Sequence, residues 1–420
     1  MLAITGTDHK ISSPEEDCHQ TPSSAATTIA GNDDLLTEIL VYTPVKSLMR
    51  FKSVSKHWFS LISASHFSLL RTLRRPNRRP SGLFLENRPP LIFHRIPCSE
   101  LDFLSFSNNN LSGAPFRSLN FKNNHLGIKI LQSCNGLLLC RTYRRMVGKA
   151  APNFYIYNPT TKQYSSLPPL TGAEYGTSFG GGLAFDPLKS VHYKVIYICS
   201  RSRDLFGGPN RTIYYCSVYI YSSETRSWRL RGNPFSPTHD IDMVPTHAVF
   251  WNSSIHWISR TGSYFRFDVD HESLVEMPEI LFPGYNIYSG HLLESKGHLH
   301  LIKECLTAPQ MQFDVFEMER DYSKWFVKYH VDLVGIVNEF PEMVRRGRVY
   351  YSVLGLVRDD DEDESLLLLH LPGKVLSYKF KDNTFKELLN LPPEKIHKMY
   401  TLQYGHFDAH VYIETHAFVL

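Results

Sequence analysis

Few positions in this 420-residue chain could carry bond chemistry. His298 and His300 lie two apart on one face of an expected strand, a spacing that can hold a metal ion. No acidic or cysteine partner stands at a fixed spacing from them, so ordinary strand positions are the simpler reading, as for His247 and His256. Cys134 and Cys140 bracket an apolar run, and no motif joins either to a histidine. Buried structural thiols are therefore expected in place of a nucleophile. The run "FGGGLAF" (179–185) lacks the Lys-Ser/Thr of a phosphate loop and leads into a strand, not a helix, so a turn is expected there. No G-x-S-x-G pattern occurs. The acidic run "DDDEDE" (359–364) reads as a solvated loop, with recruitment of a basic segment as the alternative. These positions predict no catalytic residue, no metal site and no cofactor.

Composition narrows the class. Aromatic residues are 13% of the chain, and with 25 Pro and 24 Gly they favour many short strands joined by tight turns. The formal charge of +4 is too balanced for nucleic acid to be the main partner. Seven cysteines without a C-x-x-C pair point to reduced intracellular thiols, and nucleus or cytoplasm or both are the expected locations. No apolar run reaches the roughly 18 residues of a membrane span, and the first 30 residues do not read as a secretory signal.

Four segments follow. Residues 1–30 are rich in Ser, Thr and Pro and read as a disordered tail. Residues 31–70 carry helical periodicity, and 71–82 read as a basic, proline-broken linker. Residues 83–420 show short β-type runs between turns. The linker arginines (Arg71, Arg74, Arg75, Arg78, Arg79) fit a solvated tether, with nuclear import or nucleic-acid contact as alternatives.

The helical part has a surplus. Asn32 or Asp33 can cap a first helix bearing Leu35, Leu36, Ile39 and Leu40. Thr43-Pro44 opens a second, with Val45, Leu48, Met49 and Phe51. Ser53 can cap a third with Val54, Trp58, Leu61 and Ile62. Between Leu35 and Ile62, 15 of 28 residues are large and apolar. A unit below about 40 residues cannot bury that much internally. Docking on the C-terminal part is one outlet, and a separate partner is the better one.

The order D-L-L-x-E-I-L, P-V-K-S-L, F-x-x-V-S-K-x-W resembles the F-box of plant F-box proteins. That resemblance implies binding to the Skp-type linker protein of cullin-based ubiquitin ligases. By motif position it assigns Leu35, Leu36, Ile39, Leu40, Pro44, Val45, Leu48, Val54 and Trp58 as the contact or core-forming set. The chain departs from the family at Gly31-Asn32, where Leu-Pro is usual, and at Thr43, where Leu is usual.

The rest repeats a phrase: an aromatic-ended strand, a polar turn, then a closing apolar residue. It reads "FYIYNPTTKQY", "SVYIYSSETRSW", "YFRFDVDHESL", "FDVFEMERDYSKW" and "VLSYKFKDNTF". Anchors at Tyr157, Tyr221, Phe267, Phe316 and Tyr378 lie 46 to 64 residues apart, which suits four-stranded propeller blades. Each phrase predicts the outer hairpin of a blade. The runs "GLLLC", "YKVIYI", "SIHWIS" and "HLHLIK" predict buried inner strands. A degenerate unit in 83–121 makes six blades, with five or seven as alternatives, and "HVYIETHAF" can close the ring on the first blade.

"SCNGLLLC", "YNPTTKQY" and "FDPLKSVHYKVI" are similar to the kelch-like F-box-associated domain of the same plant family. The fold expected is thus mainly β: a kelch-like β-propeller preceded by a small three-helix F-box. The role expected is a non-catalytic receptor that holds an unknown protein substrate near a cullin ligase. The alternatives are a redox or hydrolytic propeller enzyme, a nucleic-acid-binding module, and a stand-alone ligand- or glycan-binding propeller with a vestigial F-box. Loops near 142–152, 200–212, 233–245, 281–289 and 357–365 are candidate substrate loops by length and polarity.

Overall fold

The computed structural model describes residues 28–75, 79–86, 101–106, 128–142, 153–170, 178–204, 212–232, 248–258, 263–278, 290–304, 311–391 and 408–419, with Leu119, Leu402, Tyr404 and Gly405. The expected tail at 1–30 lies almost wholly outside these residues, as do most residues of the first four candidate loops.

Four helices span residues 33–74 of the described chain, where three were expected: α1 (Asp33–Tyr42), α2 (Val45–Phe51), α3 (Lys56–Ser63) and α4 (Ser65–Arg74). Asn32 caps α1, its Oδ1 accepting from Asp34 N at 3.0 Å and Leu35 N at 3.1 Å. Two expected caps sit elsewhere. Thr43 Oγ1 donates back to Ile39 O at 3.3 Å instead of capping α2. Ser55, not Ser53, caps α3, accepting from Trp58 N at 3.1 Å, because Ser53 Oγ is turned onto Arg50 O. Leu36, Leu40, Val41, Leu48, Ile62 and Phe67 form the bundle core. Each such side chain contributes about 1.5–3 kcal/mol over its exposed state.

The basic segment at 71–82 begins inside α4, so its first part is not a tether. Arg71 is buried, and its Nη1 donates to Val41 O at 2.5 Å and Thr43 O at 2.6 Å. Arg75 Nη1 donates to Tyr42 O at 3.1 Å. Carbonyls at the end of α1 have no partner within the helix, and cations are favoured at that end of its dipole.

Six sheets follow, five of them four-stranded. The first holds β1 (Gly82–Glu86), β2 (Leu101–Ser105) and the C-terminal strand β25 (Ala409–Tyr412). The second holds β3 (Ile128–Cys134), β4 (Leu137–Thr142), β5 (Phe154–Asn158) and β6 (Gln163–Ser166). The third holds β7 (Ser178–Ala184), β8 (Lys194–Asp204), β9 (Thr212–Ser222) and β10 (Ser227–Leu230). The fourth holds β11 (Val249–Trp251), β12 (Ser254–Ile258), β13 (Tyr264–Asp268) and β14 (Ser273–Glu276). The fifth holds β15 (His291–Ser295), β16 (His298–Glu304), β17 (Gln312–Met318) and β18 (Trp325–Asp332). A helix α5 (Val334–Glu339) and a two-stranded ribbon, β19 (Val344–Arg345) with β20 (Arg348–Val349), precede the sixth. That sheet holds β21 (Ser352–Val357), β22 (Leu366–Leu371), β23 (Lys374–Lys379) and β24 (Thr384–Asn390).

The five repeated phrases are the third and fourth strands of blades 2 to 6, as their alternation predicted. First strands of neighbouring sheets touch in a closed circle, β25–β3–β7–β11–β15–β21 and back to β25. Leu83 pairs with Val411 and Phe84 with His410, so the C-terminal strand closes the ring as expected.

"FGGGLAF" is not a turn: most of it forms β7, the first strand of blade 3. A Cβ on Gly182 would lie 2.5 Å from Ile255 Cγ2 of the next blade, so glycine lets two sheets approach there.

Antiparallel strands give the propeller two ends. Links between first and second strands, and between third and fourth, lie at one end. Links between second and third strands, and between blades, lie at the other. The helices sit at the first end.

Candidate functional site

The helical bundle closes its own core and still exposes apolar side chains. Leu35, Ile39 and Tyr42, at i, i+4 and i+7 of α1, are 46%, 52% and 54% exposed. Val54 and Phe59 are more than half exposed, and Trp58 is half-buried, edge-on to Phe51 at 5.5 Å. His57 Nε2 lies 2.9 Å from Asp33 Oδ1 and ties α3 to the start of α1.

The nine motif residues therefore divide. Leu36, Leu40, Val45 and Leu48 are buried within the chain and offer no surface. Leu35, Ile39 and Val54 face solvent. Pro44 is exposed too, but it lines a cavity on the propeller side of the bundle. Tyr42 and Phe59 belong to the exposed set and were not singled out by the motif. The i+7 position of Tyr42 was the available signal.

Behind the bundle runs a seam formed by the C-terminal segment 413–418. Ser68 Oγ on α4 donates to His416 O at 3.4 Å, and the Phe67 and His416 rings meet edge-on at 5.8 Å. Lys46 Nζ lies 3.4 Å from Glu414 Oε1. Between α4 and this segment is a cavity of about 260 Å³, lined by Arg71, Arg75, Arg79, Glu414 and His416 among others. Burial, then the charges of Lys52 and Arg71, push the His416 pKa down to about 3, so the ring is neutral.

All three propeller stretches that carried the resemblance converge on this seam. From "SCNGLLLC", Gly136 has φ +88°, and a Cβ there would lie 2.5 Å from Thr415 Cγ2. From "YNPTTKQY", Asn158 Nδ2 donates to Thr415 O at 3.2 Å and Ala417 O at 2.7 Å. From "FDPLKSVHYKVI", Phe185, Pro187, Ser190 and Val191 line a small space shared with Ala417, Phe418 and α4.

The candidate chemical groups are otherwise occupied. Cross-strand pairing sets His300 opposite Glu317, supplying the carboxylate that linear spacing concealed. Glu317 Oε1 lies 2.6 Å from His298 Nδ1, and Oε2 lies 3.5 Å from His300 Nε2. Arg358 Nη1 also donates to Oε2 at 2.9 Å, so a guanidinium stands beside this pair. Burial favours the neutral carboxyl, but the hydrogen bond to His298, the nearby His300 ring and the Arg358 charge outweigh it and hold Glu317 below the usual range. Cys134 and Cys140 are buried, and burial raises both thiols far above their ordinary pKa. His256 is buried against Val249 O at 3.2 Å and Tyr322 Oη at 3.1 Å.

The acidic run is internally paired. Arg79 reaches Asp359 at 3.3 Å, Lys296 meets Asp360, Lys328 meets Glu362 at 2.7 Å, Lys381 meets Asp363 and Lys379 meets Glu364 at 2.8 Å. It follows β21 at the helix-bearing end, and Arg79 joins it to the connection leaving the helices. It is thus a paired surface loop, not a free acidic one.

Comparison with known proteins agrees with this architecture. The family model described as F-box domain matches residues 32–69, and the one described as F-box associated beta propeller domain matches 91–357. The F-box protein At5g07610 of Arabidopsis thaliana is 34% identical over 381 residues, covering 87% of each chain. A second, F-box protein At5g49610 of Arabidopsis thaliana, is 29% identical over 281 residues, 64% of this chain and 71% of the relative. With an F-box bundle seated on one end of a closed six-bladed ring, the chain belongs to the F-box proteins that carry an F-box associated β-propeller domain.

Proposed function

We propose that this protein is the substrate-recognition subunit of an SCF-type (Skp-cullin-F-box) ubiquitin ligase. The observation that carries the reading is the exposed stripe of Leu35, Ile39 and Tyr42 on a bundle whose own core is already filled. A stripe of this kind is half of an interface. Its occupant in this reading is a Skp-type linker protein, and through it a cullin. Val54 and Phe59 of the same bundle are exposed as well.

The propeller holds a protein target in this reading. Its helix-bearing end is covered by α4 and the C-terminal segment, and the opposite end is left for the target. Ubiquitin transfer is favoured by proximity alone, which raises the target's effective concentration beside the charged enzyme. No side chain of this chain performs bond chemistry in that scheme.

Co-purification of the full chain with a plant Skp-type linker tests the reading. Wild type is expected to capture the linker, and a Leu35→Asp, Ile39→Asp variant to lose it without change in thermal stability. Failure of wild type to bind at micromolar concentrations would overturn the reading in favour of a stand-alone ligand- or glycan-binding propeller.

A further inference from the structure

The ribbon of β19 and β20 is the one described strand pair outside the six sheets. It sits in the link between blades 5 and 6, at the end of the propeller away from the helices. Its base is anchored: Met343 is buried, and Val344 and Val349 pack against the core shared by blades 5 and 6. Tyr350 N donates to Met343 O at 2.9 Å and continues the pairing below the strands.

Its tip is cationic. The sequence reads Val344-Arg345-Arg346-Gly347-Arg348-Val349, and Arg345 pairs directly across from Arg348. Like charges opposite one another destabilise a strand pair. The two central turn residues have φ +50° at Arg346 and +74° at Gly347, the left-handed values that a two-residue hairpin needs. Asn or Asp would take the first of these positions at lower cost, yet an arginine stands there.

At two of these three arginines the charge is unmatched among the described residues. Arg346 and Arg348 are exposed and make no ion pair among the described residues. Glu339 and Glu342, the nearest carboxylates in sequence, make none with them either. Arg345 is held aside, its Nε donating to Glu342 O at 3.2 Å. Elsewhere the same chain neutralises its charged run at 359–364 nearly residue by residue. A turn that holds Arg346 at positive φ and sets Arg348 opposite Arg345, at the end of the propeller away from the helices, is suited to meet an anion. The planar fork of arginine suits carboxylates in particular.

We propose that the Arg345–Arg348 ribbon is a docking surface for an acidic segment of a protein target. The proposal rests on the reading of the propeller as a target-binding module and names the chemistry of that target. A protein is favoured over nucleic acid because the chain's formal charge of +4 is nearly balanced, with 45 basic against 41 acidic residues.

The test uses the full chain and a fluorescein-labelled twelve-residue peptide of alternating Glu and Gly, with a Lys/Gly peptide and a labelled DNA duplex as further arms. Anisotropy is read for wild type and for an Arg346→Glu, Arg348→Glu variant, and linker capture is measured in parallel. Wild type is expected to bind the Glu peptide, more weakly as salt rises, and to ignore the Lys peptide. The variant is expected to lose at least about tenfold in affinity, roughly 1.4 kcal/mol, with an unchanged melting temperature and linker capture intact. Equal binding by both proteins, no binding by wild type, or preference for the duplex each overturns the ribbon proposal. Linker capture by wild type in those cases leaves the adaptor reading standing. Conversely, ribbon-dependent peptide binding without linker capture supports the ribbon and removes the adaptor reading.

Discussion

Asn158 Nδ2 donates to the carbonyl oxygen of Ala417 at 2.7 Å, joining the end of β5 to the C-terminal segment across 259 positions of sequence. The same side chain serves Thr415 O, and its Oδ1 accepts from Thr160 N at 2.9 Å and Thr161 N at 3.2 Å. It is fully buried, so its partners have no water to replace it. An Asn158→Ala variant is expected to lose roughly 1–3 kcal/mol for each buried group left unpaired. Thermal unfolding measures the loss, and limited proteolysis should show earlier cleavage after Tyr412 than in wild type.

Arg71 performs a comparable task inside the bundle. Arg71→Ala removes the guanidinium donor shared by Val41 O and Thr43 O at the end of α1. The expected cost is about 1–3 kcal/mol, read by denaturant titration. Arg79→Ala, whose side chain is 72% exposed, is expected to change stability by less than about 0.5 kcal/mol.

Adjacent positions on α1 should separate folding from docking. Leu40 is 1% exposed and Ile39 is 52% exposed. Leu40→Ala is expected to cost about 2–5 kcal/mol through the cavity it leaves. Ile39→Ala should leave the melting temperature near wild type and weaken linker capture. Equal effects of the two on stability would contradict the division of the stripe.

The glycine run of β7 offers a steric comparison. A Cβ on Gly182 meets Ile255 Cγ2 at 2.5 Å, whereas one on Gly181 meets nothing closer than 3.9 Å. Gly182→Ala is expected to destabilise by roughly 1–3 kcal/mol through overpacking between blades 3 and 4. Gly181→Ala should be tolerated, and calorimetry distinguishes them.

Protonation of buried histidines should loosen the protein in a defined window. Burial, with the Lys52 and Arg71 charges at His416 and the Lys129 charge at His410, lowers both imidazole pKa values to about 3, from an ordinary 6.5. The unfolded chain binds these protons first, so their contribution is fully present above pH 6.5 and is lost as pH falls toward 3. Glu317, held below its ordinary 4.5, adds a loss in the same direction below that pH. Glu86, which burial raises to about 7, works the other way between pH 7 and 4.5, so the test is a comparison: the melting temperature of His416→Phe, set between the Phe67 and Phe418 rings, is expected to fall less in that window than that of wild type.

The sequence by itself determined the local units. The apolar stripe at Leu35, Leu36, Ile39 and Leu40 specified a helix, and alternating aromatics around short polar turns specified five outer hairpins and the closing strand. Those signals are periodicities of 3.6 and 2 residues, which a linear reading can see. Only the tertiary structure decided which half of the stripe is spent on the core, that Arg71 caps α1, and that "FGGGLAF" is a strand. It also decided that "DDDEDE" is paired and that three motif stretches grip the C-terminal segment. Each of these depends on residues that meet across long separations: Gly182 with Ile255, Arg79 with Asp359 and Asn158 with Ala417. Pattern along the chain sets which face is apolar, but closure of the ring sets what that face touches.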